Sequence, residues 1–489
     1  MNVIKLYLLF IFVSPFYVWS QTHKAQTAIE DFAKHPNLQS ASISFMAVAA
    51  KDNRTIAAYD ANRVLVPAST MKLWSTAAGF ELLGKDYKAK TEVYYTGEIT
   101  QDSILRGSVI IKGFGDVTLG SSYFKDRANM RDFFKDWVEH FQAQGIKVIE
   151  GDIFADASSF GYFGVPEGWT WSDMGNYYGA FPSGLTLFDN LLELYFNTSK
   201  TKLGETWIVE TNPTIPNFVI QNHVRSDAIN SDNAYVFAAP YSHSAFVTGT
   251  LPMNKTKFKV KAAIQNPEAL FAREFYSALQ KAGIQILGKA SSNKEIIDSE
   301  NVKFLESIQN KTLLFTHYGN SFSEVAHFIN HKSVNLFAEH VIHWLALQKE
   351  GAPLAYHSAG MEILIDFWKN KFDIKSARIV DGSGLSRSNL ISAQQFVNLL
   401  HYMKDNAYFE QSLPTAGQSG TLKSLCAGQP CSGKIRAKSG TINRVKAYAG
   451  YAYNIKGEKV IFAFLVNNYT GTNSELNTLM QNVLNAVVS

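Results

Sequence analysis

The two ends of the chain both combine helical periodicity with antiparallel strand patterns, and the residues between them do not. The elements predicted at the ends are a helix over 24–35, strands over 40–50, 55–59, 445–454 and 459–468, and a helix over 474–488. From about residue 90 to 290, short β-like runs and turns dominate. We therefore predict the α/β (α+β) class, with one domain built from both ends and interrupted by a β-rich insertion.

Composition supports a globular protein and argues against a nucleic-acid partner. Of the 489 residues, 46% are hydrophobic and 18% are charged, which is enough apolar surface to form a core. At about 150 residues per domain, this length predicts roughly two to four structural units. The net charge is +4 and no run of five or more Lys or Arg residues occurs, so the concentrated basic surface of a nucleic-acid-binding protein is missing.

The N-terminal residues have the pattern of a secretory signal peptide. Lys5 precedes an apolar stretch over 6–19, and Val18 and Ser20 stand at the −3 and −1 positions of a cleavage site. The alternative is an uncleaved membrane anchor, but an apolar run of about 14 residues is shorter than the roughly 20 that span a bilayer. We therefore predict a signal peptide over 1–20, an exported protein, and no transmembrane span in the mature chain.

The chain contains two cysteines, Cys426 and Cys431, which lie close together in the sequence. In an exported protein such a pair is predicted to form a local disulfide, the alternative being two free thiols. Two cysteines at this spacing do not provide a zinc site. No metal ion or cofactor is predicted.

Ser69 and Lys72 form an S-x-x-K pair at the start of a predicted helix. Positions i and i+3 share one helix face, so the lysine amine lies within reach of the serine hydroxyl. A nucleophilic serine needs such a base, and lysine serves when desolvation lowers its pKa. The pair alone is weak evidence. It recurs at Ser122, Ser199 and Ser291, and an N-cap serine followed by a solvated lysine has the same pattern.

Two further motifs follow later in the chain. Residues 333–335 read Ser-Val-Asn and open a predicted helix, and residues 438–441 read Lys-Ser-Gly-Thr and enter a predicted strand. Together with the first pair, they provide a nucleophile, a base, a second hydroxyl with an amide, and a cation beside hydroxyl groups. This set of groups suits acyl transfer on a substrate that carries a carboxylate.

The order S-x-x-K, S-x-N and K-[ST]-G is that of the penicillin-recognising serine enzymes. In particular, the sequence resembles the low-molecular-mass class C penicillin-binding proteins of the penicillin-binding protein 4 type, a family of D-Ala-D-Ala carboxypeptidases and endopeptidases. The stretches that carry the resemblance lie at 67–72, 113–119, 168–173, 333–339, 381–387, 413–417 with 420–422, and 437–441. The long separation between the first and second motifs also matches this family, whereas the same gap is far shorter in β-lactamases.

The resemblance implies catalytic roles for five residues. Ser69 attacks the carbonyl of the penultimate D-Ala and becomes acylated, and Lys72 accepts its proton. Ser333 relays a proton to the leaving amine, while Asn335 holds both the substrate amide and the lysine of the first motif. Lys438 sets the electrostatic environment of the site.

The same resemblance implies how the substrate is bound. Ser439 and Thr441, on either side of Gly440, bind the terminal carboxylate. The backbone N–H groups of the nucleophile and of Thr441 form the oxyanion hole. Asp173 and Arg387 help form the pocket for the side chain of the stem peptide, where Asp173 can pair with a free amine such as that of diaminopimelate.

For the fold, the resemblance implies a transpeptidase domain like that of serine β-lactamases and DD-peptidases. It has an antiparallel sheet flanked by helices, and a β-rich insertion forms one or two extra domains. The predicted boundaries are 21–88 with 289–489 for the discontinuous catalytic domain, 89–112 with 185–288 for the inserted domain, and 113–184 for a second domain nested within it. The family is bacterial, so the predicted location is the periplasm of a Gram-negative bacterium.

Peptidoglycan stem peptides are the predicted substrates, and β-lactam antibiotics are the predicted inhibitors. Two alternatives stay open: a β-lactamase or esterase of the same superfamily, and a non-enzymatic cell-wall-binding protein that retains the fold. His327 and His331 have the i, i+4 spacing of a metal pair but lack the Glu of H-E-x-x-H, so packing or surface histidines are predicted. The aromatic cluster over 160–181 has two interpretations, a grip on glycan or peptide and core packing under a loop.

Overall fold

The computed structural model describes residues 15–124, 130–162, 164–299, 308–349 and 356–489. These residues pack into two compact units. The first unit contains the described residues up to Leu65 together with Ile391–Asp405 and Pro414–Ser489. The second contains the described residues of Val66–Leu390 together with Asn406–Leu413. The first unit therefore combines both ends of the chain.

The regular elements are labelled in chain order. The helices of the described residues are α1 (Pro15–Ala33), α2 (Lys72–Leu82), α3 (Phe133–Ala143), α4 (Trp171–Met174), α5 (Pro267–Lys281), α6 (Asn293–Asp298), α7 (Phe322–His331), α8 (Asn335–Leu347), α9 (His357–Lys369), α10 (Ala393–Tyr402), α11 (Ala407–Gln411) and α12 (Asn473–Val487). The strands are β1 (Ser42–Ala49), β2 (Thr55–Tyr59), β3 (Lys90–Thr96), β4 (Glu98–Ile99), β5 (Ile104–Arg106), β6 (Val109–Gly113), β7 (Val148–Ile149), β8 (Ile153–Asp156), β9 (Leu191–Thr198), β10 (Thr206–Asn212), β11 (Val219–Asp227), β12 (Asn233–Phe237), β13 (Ser244–Pro252), β14 (Phe258–Ala263), β15 (Gln285–Ile286), β16 (Ala290–Ser292), β17 (Lys311–Tyr318), β18 (Ile435–Ile442), β19 (Val445–Tyr453) and β20 (Lys459–Asn467).

The first unit contains a five-stranded antiparallel sheet in the order β18-β19-β20-β1-β2. Phe464 of β20 contacts Phe32 of α1 and Phe45 of β1, with ring centroids 4.9 and 5.0 Å away. Apolar residues of α12 complete the same core. The helices and strands predicted at the two chain ends are confirmed. β18, which carries the third motif, lies at one edge of the sheet and pairs with β19.

Helix α1 begins at Pro15, earlier than predicted and inside the segment assigned to a signal peptide. Its inward face contains Ala25, Ile29 and Phe32, which are buried. Residues 1–14 lie outside the described residues, so the signal peptide stays a prediction. None of the helices described is both long and apolar enough to cross a membrane.

The second unit confirms the β-rich middle of the chain. Within the described residues its sheets have the orders β16-β8-β6-β3-β17, β15-β7-β5-β4, β10-β9-β14 and β11-β13-β12. β8 pairs in parallel with both β6 and β16, which the sequence patterns did not predict. α3 lies between β6 and β8 in the chain, and a crossover helix of this kind lets two strands run in the same direction. The sheet β16-β8-β6-β3-β17 takes strands from several of the predicted domains. The boundaries of those domains stay a prediction.

Packed helices of the second unit position the first two motifs. The 3₁₀ turn Ala68–Met71 leads directly into α2, and α8 begins at Asn335. Residues 72–80 of α2 are all buried. At Gly79 a Cβ atom would lie 2.2 Å from the Phe322 ring of α7, so the absence of a side chain permits this close packing.

Cys426 and Cys431 form a disulfide, as predicted. Both are buried in the core of the first unit. Their backbone N–H groups donate to the side chains of Gln481 and Asn485 on α12, at 2.7 and 3.0 Å. The disulfide and these hydrogen bonds hold the loop against α12.

Candidate active site

Ser69 lies in the 3₁₀ turn Ala68–Met71, immediately before α2. The preceding residue, Ala68, has a positive φ of 47°, a conformation that residues with a Cβ atom seldom adopt. Such a backbone persists where the surrounding structure holds it, and it concentrates at functional sites. The turn therefore presents Ser69 from a constrained backbone at the start of a buried helix.

Lys72 is fully buried, and oxygen acceptors surround its amine. Its Nζ atom lies 3.0 Å from Ser69 Oγ, 2.6 Å from Asn335 Oδ1 and 2.6 Å from the carbonyl oxygen of Ser383. The first contact agrees with the i+3 spacing on one helix face. The second brings the first two motifs together across a long stretch of sequence.

These contacts fix the direction of the amine lone pair. The Oδ1 atom of Asn335 and the carbonyl oxygen of Ser383 only accept hydrogen bonds, so each takes one N–H of Lys72. The third position on Nζ faces Ser69 Oγ. When Lys72 loses a proton, its lone pair occupies that position and is directed at the hydroxyl of Ser69. This is the geometry of a nucleophile with its general base.

Burial lowers the pKa of Lys72 to about 7, although the Asp381 and Glu339 carboxylates act in the opposite direction. An amine with this pKa is present in both protonation states near neutral pH. A general base is most effective when its pKa lies near the working pH. The protein environment of Lys72 therefore suits proton transfer from Ser69.

Asp381 organises the loop that follows it, residues 381–389, which we call the Asp381 loop. One carboxylate oxygen of Asp381 accepts from the backbone N–H of Gly384 and from the Asn389 side chain, both at 2.7 Å. The other accepts from the backbone N–H of Ser386 at 2.7 Å and from the Trp169 indole at 3.0 Å. The carboxylate thus fixes the conformation of the loop that presents the Ser383 carbonyl oxygen to Lys72.

Glu339 of α8 supports the same loop. Its carboxylate accepts from the backbone N–H groups of Gly382 and Ser383, at 3.0 and 2.8 Å, and from His357 Nε2 at 3.0 Å. Burial favours the neutral acid, but the hydrogen bond from His357 holds the pKa of Glu339 below its ordinary value. Burial and the nearby Glu339 raise the pKa of Asp381 to about 6. Two buried acids therefore support the acceptor for the lysine.

No role for Glu339, Asp381 or His357 was predicted from the sequence. Glu339 and Asp381 lie in stretches that carry the family resemblance, and this resemblance was the one sequence signal that could have pointed to them. His357 lies in no such stretch, and nothing in its sequence context links it to Glu339. Their roles become visible when the fold buries them together.

Gly384 lets the Asp381 loop approach the turn that carries Ser69. Its φ is 79°, and a Cβ atom here would lie 1.9 Å from the carbonyl oxygen of Ala68. We expect Gly384→Ala to lower the free energy of unfolding in urea by more than about 4 kcal/mol, because backbone must move. The matched control is Gly457→Ala, where φ is 77° and no atom lies within 4 Å. It should lose about 1–2 kcal/mol, the cost of the conformation alone. Equal losses of unfolding free energy in the two variants would contradict the close approach of Gly384 to the Ala68 carbonyl group.

Asn335 is the first residue of α8 and uses both ends of its amide. Its Oδ1 atom accepts from Lys72, and its Nδ2 atom donates to the carbonyl oxygen of Tyr178 at 2.8 Å. Ser333 lies two residues earlier with a positive φ of 60°. The structure therefore brings Ser69, Lys72 and Asn335 together. The proton relay through Ser333 stays a prediction.

The third motif belongs to the first unit, on the edge strand β18. Lys438 is fully buried, and its Nζ atom donates to the carbonyl oxygen of Ser439 at 2.7 Å. Ser439 and Thr441 share the opposite face of the strand, since alternate residues face opposite sides. Ser439 Oγ donates to Thr421 Oγ1 at 2.8 Å, and Thr441 Oγ1 accepts from Lys446 at 2.9 Å. Two hydroxyl groups of this motif thus line one face of the strand.

Asp173 lies in the short helix α4. One carboxylate oxygen accepts from the backbone N–H and the hydroxyl of Thr170, at 3.0 and 2.8 Å. Within the part of the chain that is described, the other oxygen has no hydrogen-bond partner. Arg387 is an exposed residue of the Asp381 loop. The roles predicted for Asp173 and Arg387 in binding the stem peptide stay predictions.

The two histidines with i, i+4 spacing lie on helix α7. The rings of His327 and His331 stack with centroids 3.8 Å apart. Across the described ranges, no group of three or more His, Cys, Asp or Glu side chains is placed to hold a metal ion.

Some side chains of the aromatic cluster over 160–181 are buried in the core, and others are exposed. Trp169 and Phe181 are buried, and the Trp169 indole is joined to the Asp381 loop by its hydrogen bond. Trp171 and Tyr177 are half exposed. Core packing therefore accounts for part of the cluster and leaves aromatic surface beside it.

Comparisons with known proteins decide the family. A family model described as the D-Ala-D-Ala carboxypeptidase 3 (S13) family matches residues 25–486. The chain belongs to this family. It is 24% identical over 448 residues to D-alanyl-D-alanine carboxypeptidase DacB of Haemophilus influenzae, covering 90% of this chain and 88% of that relative. It is 26% identical over 461 residues to a D-alanyl-D-alanine carboxypeptidase of Actinomadura sp. strain R39, covering 91% of this chain and 81% of that relative.

The carboxypeptidase also shares its fold with a solved relative. Its TM-score with the crystal structure of penicillin binding protein 4 (dacB) from Haemophilus influenzae is 0.78 at 22% identity, covering 94% of this chain and 97% of that chain. This likeness confirms the predicted fold class, a mixed α/β DD-peptidase fold with antiparallel sheets and flanking helices. Family membership confirms the predicted enzyme class, so the protein is a serine-type D-Ala-D-Ala carboxypeptidase.

Proposed function

We propose that this carboxypeptidase acts through an acyl-enzyme on Ser69, with Lys72 as the general base. Its substrates are peptidoglycan stem peptides, from which it releases the terminal D-Ala, and cross-links between D-Ala and diaminopimelate, which it cleaves as a DD-endopeptidase. The observation that carries the proposal is the buried Lys72 amine, 3.0 Å from Ser69 Oγ and oriented by two other acceptors. Membership of the D-Ala-D-Ala carboxypeptidase family indicates that the bond cleaved is the peptide bond between the two D-Ala residues.

The reaction proceeds in two halves. Ser69 Oγ bonds to the carbonyl carbon of the penultimate D-Ala while its proton passes to Lys72 Nζ. The tetrahedral oxyanion then collapses, the C–N bond breaks, and Lys72 passes its proton through Ser333 to the leaving amine. In the second half, water adds to the ester as Lys72 takes a proton from it. Cleavage of the ester bond releases the shortened peptide and restores the Ser69 hydroxyl.

Asn335 and the Asp381 loop hold the base during both halves. The amide oxygen of Asn335 and the carbonyl oxygen of Ser383 keep Lys72 Nζ aimed at the nucleophile. Positioning of this kind removes the entropy of bringing the reacting groups together. The lysine therefore does not need to reorganise between acylation and deacylation.

The third motif binds the terminal carboxylate of the substrate. Ser439 and Thr441 provide hydroxyl groups on one face of β18, and the buried Lys438 sets the electrostatic environment of the site. The backbone N–H of Thr441 and that of the nucleophile stabilise the oxyanion. The motif order and the family membership support these assignments.

Asp173 and Arg387 form the pocket for the stem-peptide side chain. The carboxylate oxygen of Asp173 that has no partner among the described residues is available to the free amine of diaminopimelate. In a cross-link the acyl group on Ser69 is the same D-Ala carbonyl, and the leaving amine belongs to diaminopimelate. One site thus serves both reactions.

The enzyme is exported and works in the periplasm of a Gram-negative bacterium. The pattern of residues 1–20 and the disulfide between Cys426 and Cys431 support export, because disulfides persist in oxidising compartments.

The intact mass of the protein after brief exposure to benzylpenicillin tests the proposal. We expect a stable adduct of one penicillin per chain, and proteolysis should place it on the peptide that contains Ser69. The adduct forms because the β-lactam acylates the same hydroxyl as the substrate.

Two other results would contradict the proposal. Penicillin consumed without an adduct would favour a β-lactamase. Penicillin left intact without an adduct, together with muropeptide binding, would favour a cell-wall-binding protein.

A further inference from the structure

A buried lysine outside the three motifs lies beside the strand that carries the third. Lys446 of β19 is paired directly with Thr441 of β18 in the antiparallel register. Its Nζ atom donates to Thr441 Oγ1 at 2.9 Å, and the residue is 9% exposed. The ammonium also lies 5.2 Å from the centroid of the Tyr448 ring. The mechanism derived above makes no use of this lysine.

The charge of Lys446 has no acidic partner in the described part of the chain. Its contacts are the Thr441 hydroxyl and the Tyr448 ring, both of them neutral groups. Burial lowers the pKa of Lys446 to about 8, which leaves most of the population protonated at neutral pH. A buried charge without a counter-charge is unfavourable, so its presence points to an anion that binds there.

The chemistry of the two groups sets the direction of the hydrogen bond. An ammonium group only donates, so Thr441 Oγ1 is the acceptor and its own proton points elsewhere. Thr441 is exposed, whereas Lys446 is buried. A hydroxyl whose oxygen is held by a cation becomes a stronger donor, because neighbouring hydrogen bonds polarise one another. Ser439 lies on the same face, two residues earlier in the strand.

We propose that Lys446 is a positioning residue for the terminal carboxylate of the substrate and that it acts through Thr441. The carboxylate accepts a hydrogen bond from the Thr441 hydroxyl and provides the counter-charge for the buried ammonium. This inference rests on the proposed function, in which Thr441 binds that carboxylate. The proposal adds a residue outside the three motifs, Lys446, whose positive charge favours binding of the substrate carboxylate.

Two thioester substrates separate carboxylate recognition from acyl transfer. Benzoyl-D-Ala-thioglycolic acid and its methyl ester share the acyl group and the leaving sulfur, and they differ in the carboxylate. We expect Lys446→Met to lower kcat/KM for the acid by about tenfold or more, mainly through KM. The same variant should change kcat/KM for the ester by about twofold at most, since a contact to an absent group carries no energy.

Two further variants control the measurement. Lys446→Arg keeps a cationic donor and should restore most of the preference for the acid. Lys459→Met removes a lysine from the same hairpin whose Nζ atom donates to the carbonyl oxygen of Lys404. It should leave the ratio of acid to ester unchanged.

The outcomes distinguish this inference from the function on which it rests. An equal loss for acid and ester in Lys446→Met would assign the lysine a structural role and overturn the inference. No loss for the acid would also overturn it. If the unmodified enzyme formed no benzylpenicillin adduct on Ser69, the proposed function would fail first and this inference would fail with it.

Discussion

Replacement of Ser69 with alanine is expected to lower the release of D-Ala from a D-Ala-D-Ala peptide by about 10⁴-fold or more. In the proposed mechanism, the substitution removes the atom that forms the ester with the substrate. It leaves the contacts of Lys72 with Asn335 and Ser383 in place, so the site should stay folded. Release of D-Ala measures the chemistry, and thermal unfolding measures the fold.

The chain offers a matched control for this variant. Ser199 belongs to another S-x-x-K pair, and its hydroxyl contacts the hydroxyl of Thr201 in the connection between β9 and β10. Ser199→Ala should release D-Ala at the rate of the unmodified enzyme. A Ser69→Ala protein that kept its activity to within about tenfold would rule out the acyl-enzyme on Ser69.

The sequence was sufficient to predict the elements at both ends of the chain and the residues around the nucleophile. Those predictions depend on short-range regularities. Helical and strand periodicities predict α1, α12 and the hairpin of β19 and β20, and the i+3 spacing places Lys72 beside Ser69. Each regularity is contained within a few turns or one hairpin, so no knowledge of distant packing is needed.

The support for the base could not be predicted in the same way. Glu339 and His357 lie on different helices, and Asp381 lies on a loop. The fold buries all three, and their hydrogen bonds hold the backbone around the Ser383 carbonyl group that contacts the lysine. The pKa of Lys72 is lowered by the desolvation that all these elements produce together. Desolvation depends on the complete fold, and no local pattern records it.

The topology of the insertion shows the same limit. Runs of alternating residues predict strands such as β3 and β6, but they do not state which strands become neighbours. β8 pairs in parallel with β6 and β16, and helices and further strands separate these strands in the chain. Side chains alternate with a period of two residues in both parallel and antiparallel strands. The alternation therefore does not predict which strands pair or in which direction.

Replacement of Lys72 with methionine is expected to lower the rate of Ser69 acylation by benzylpenicillin by about 10³-fold, within the range of a lost general base. Methionine keeps an unbranched side chain in the buried position but cannot accept a proton. The acylation rate constant, measured by intact mass over time, reports this step directly. Lys85→Met is the control, because Lys85 is an exposed lysine that pairs with Asp86 just beyond the end of α2. It should acylate at the rate of the unmodified enzyme.

The pH dependence of the unmodified enzyme gives an independent test of the same base. In the proposed mechanism the neutral form of Lys72 accepts the proton, and burial lowers the pKa of this lysine to about 7. The acylation rate constant should therefore be low when the amine is protonated, rise as the pH passes through about 7, and level off above it. A lysine with an ordinary pKa would place that rise more than about three pH units higher. A rate constant that was flat through neutral pH would show that proton transfer to Lys72 does not limit acylation, and the base would have to be sought elsewhere.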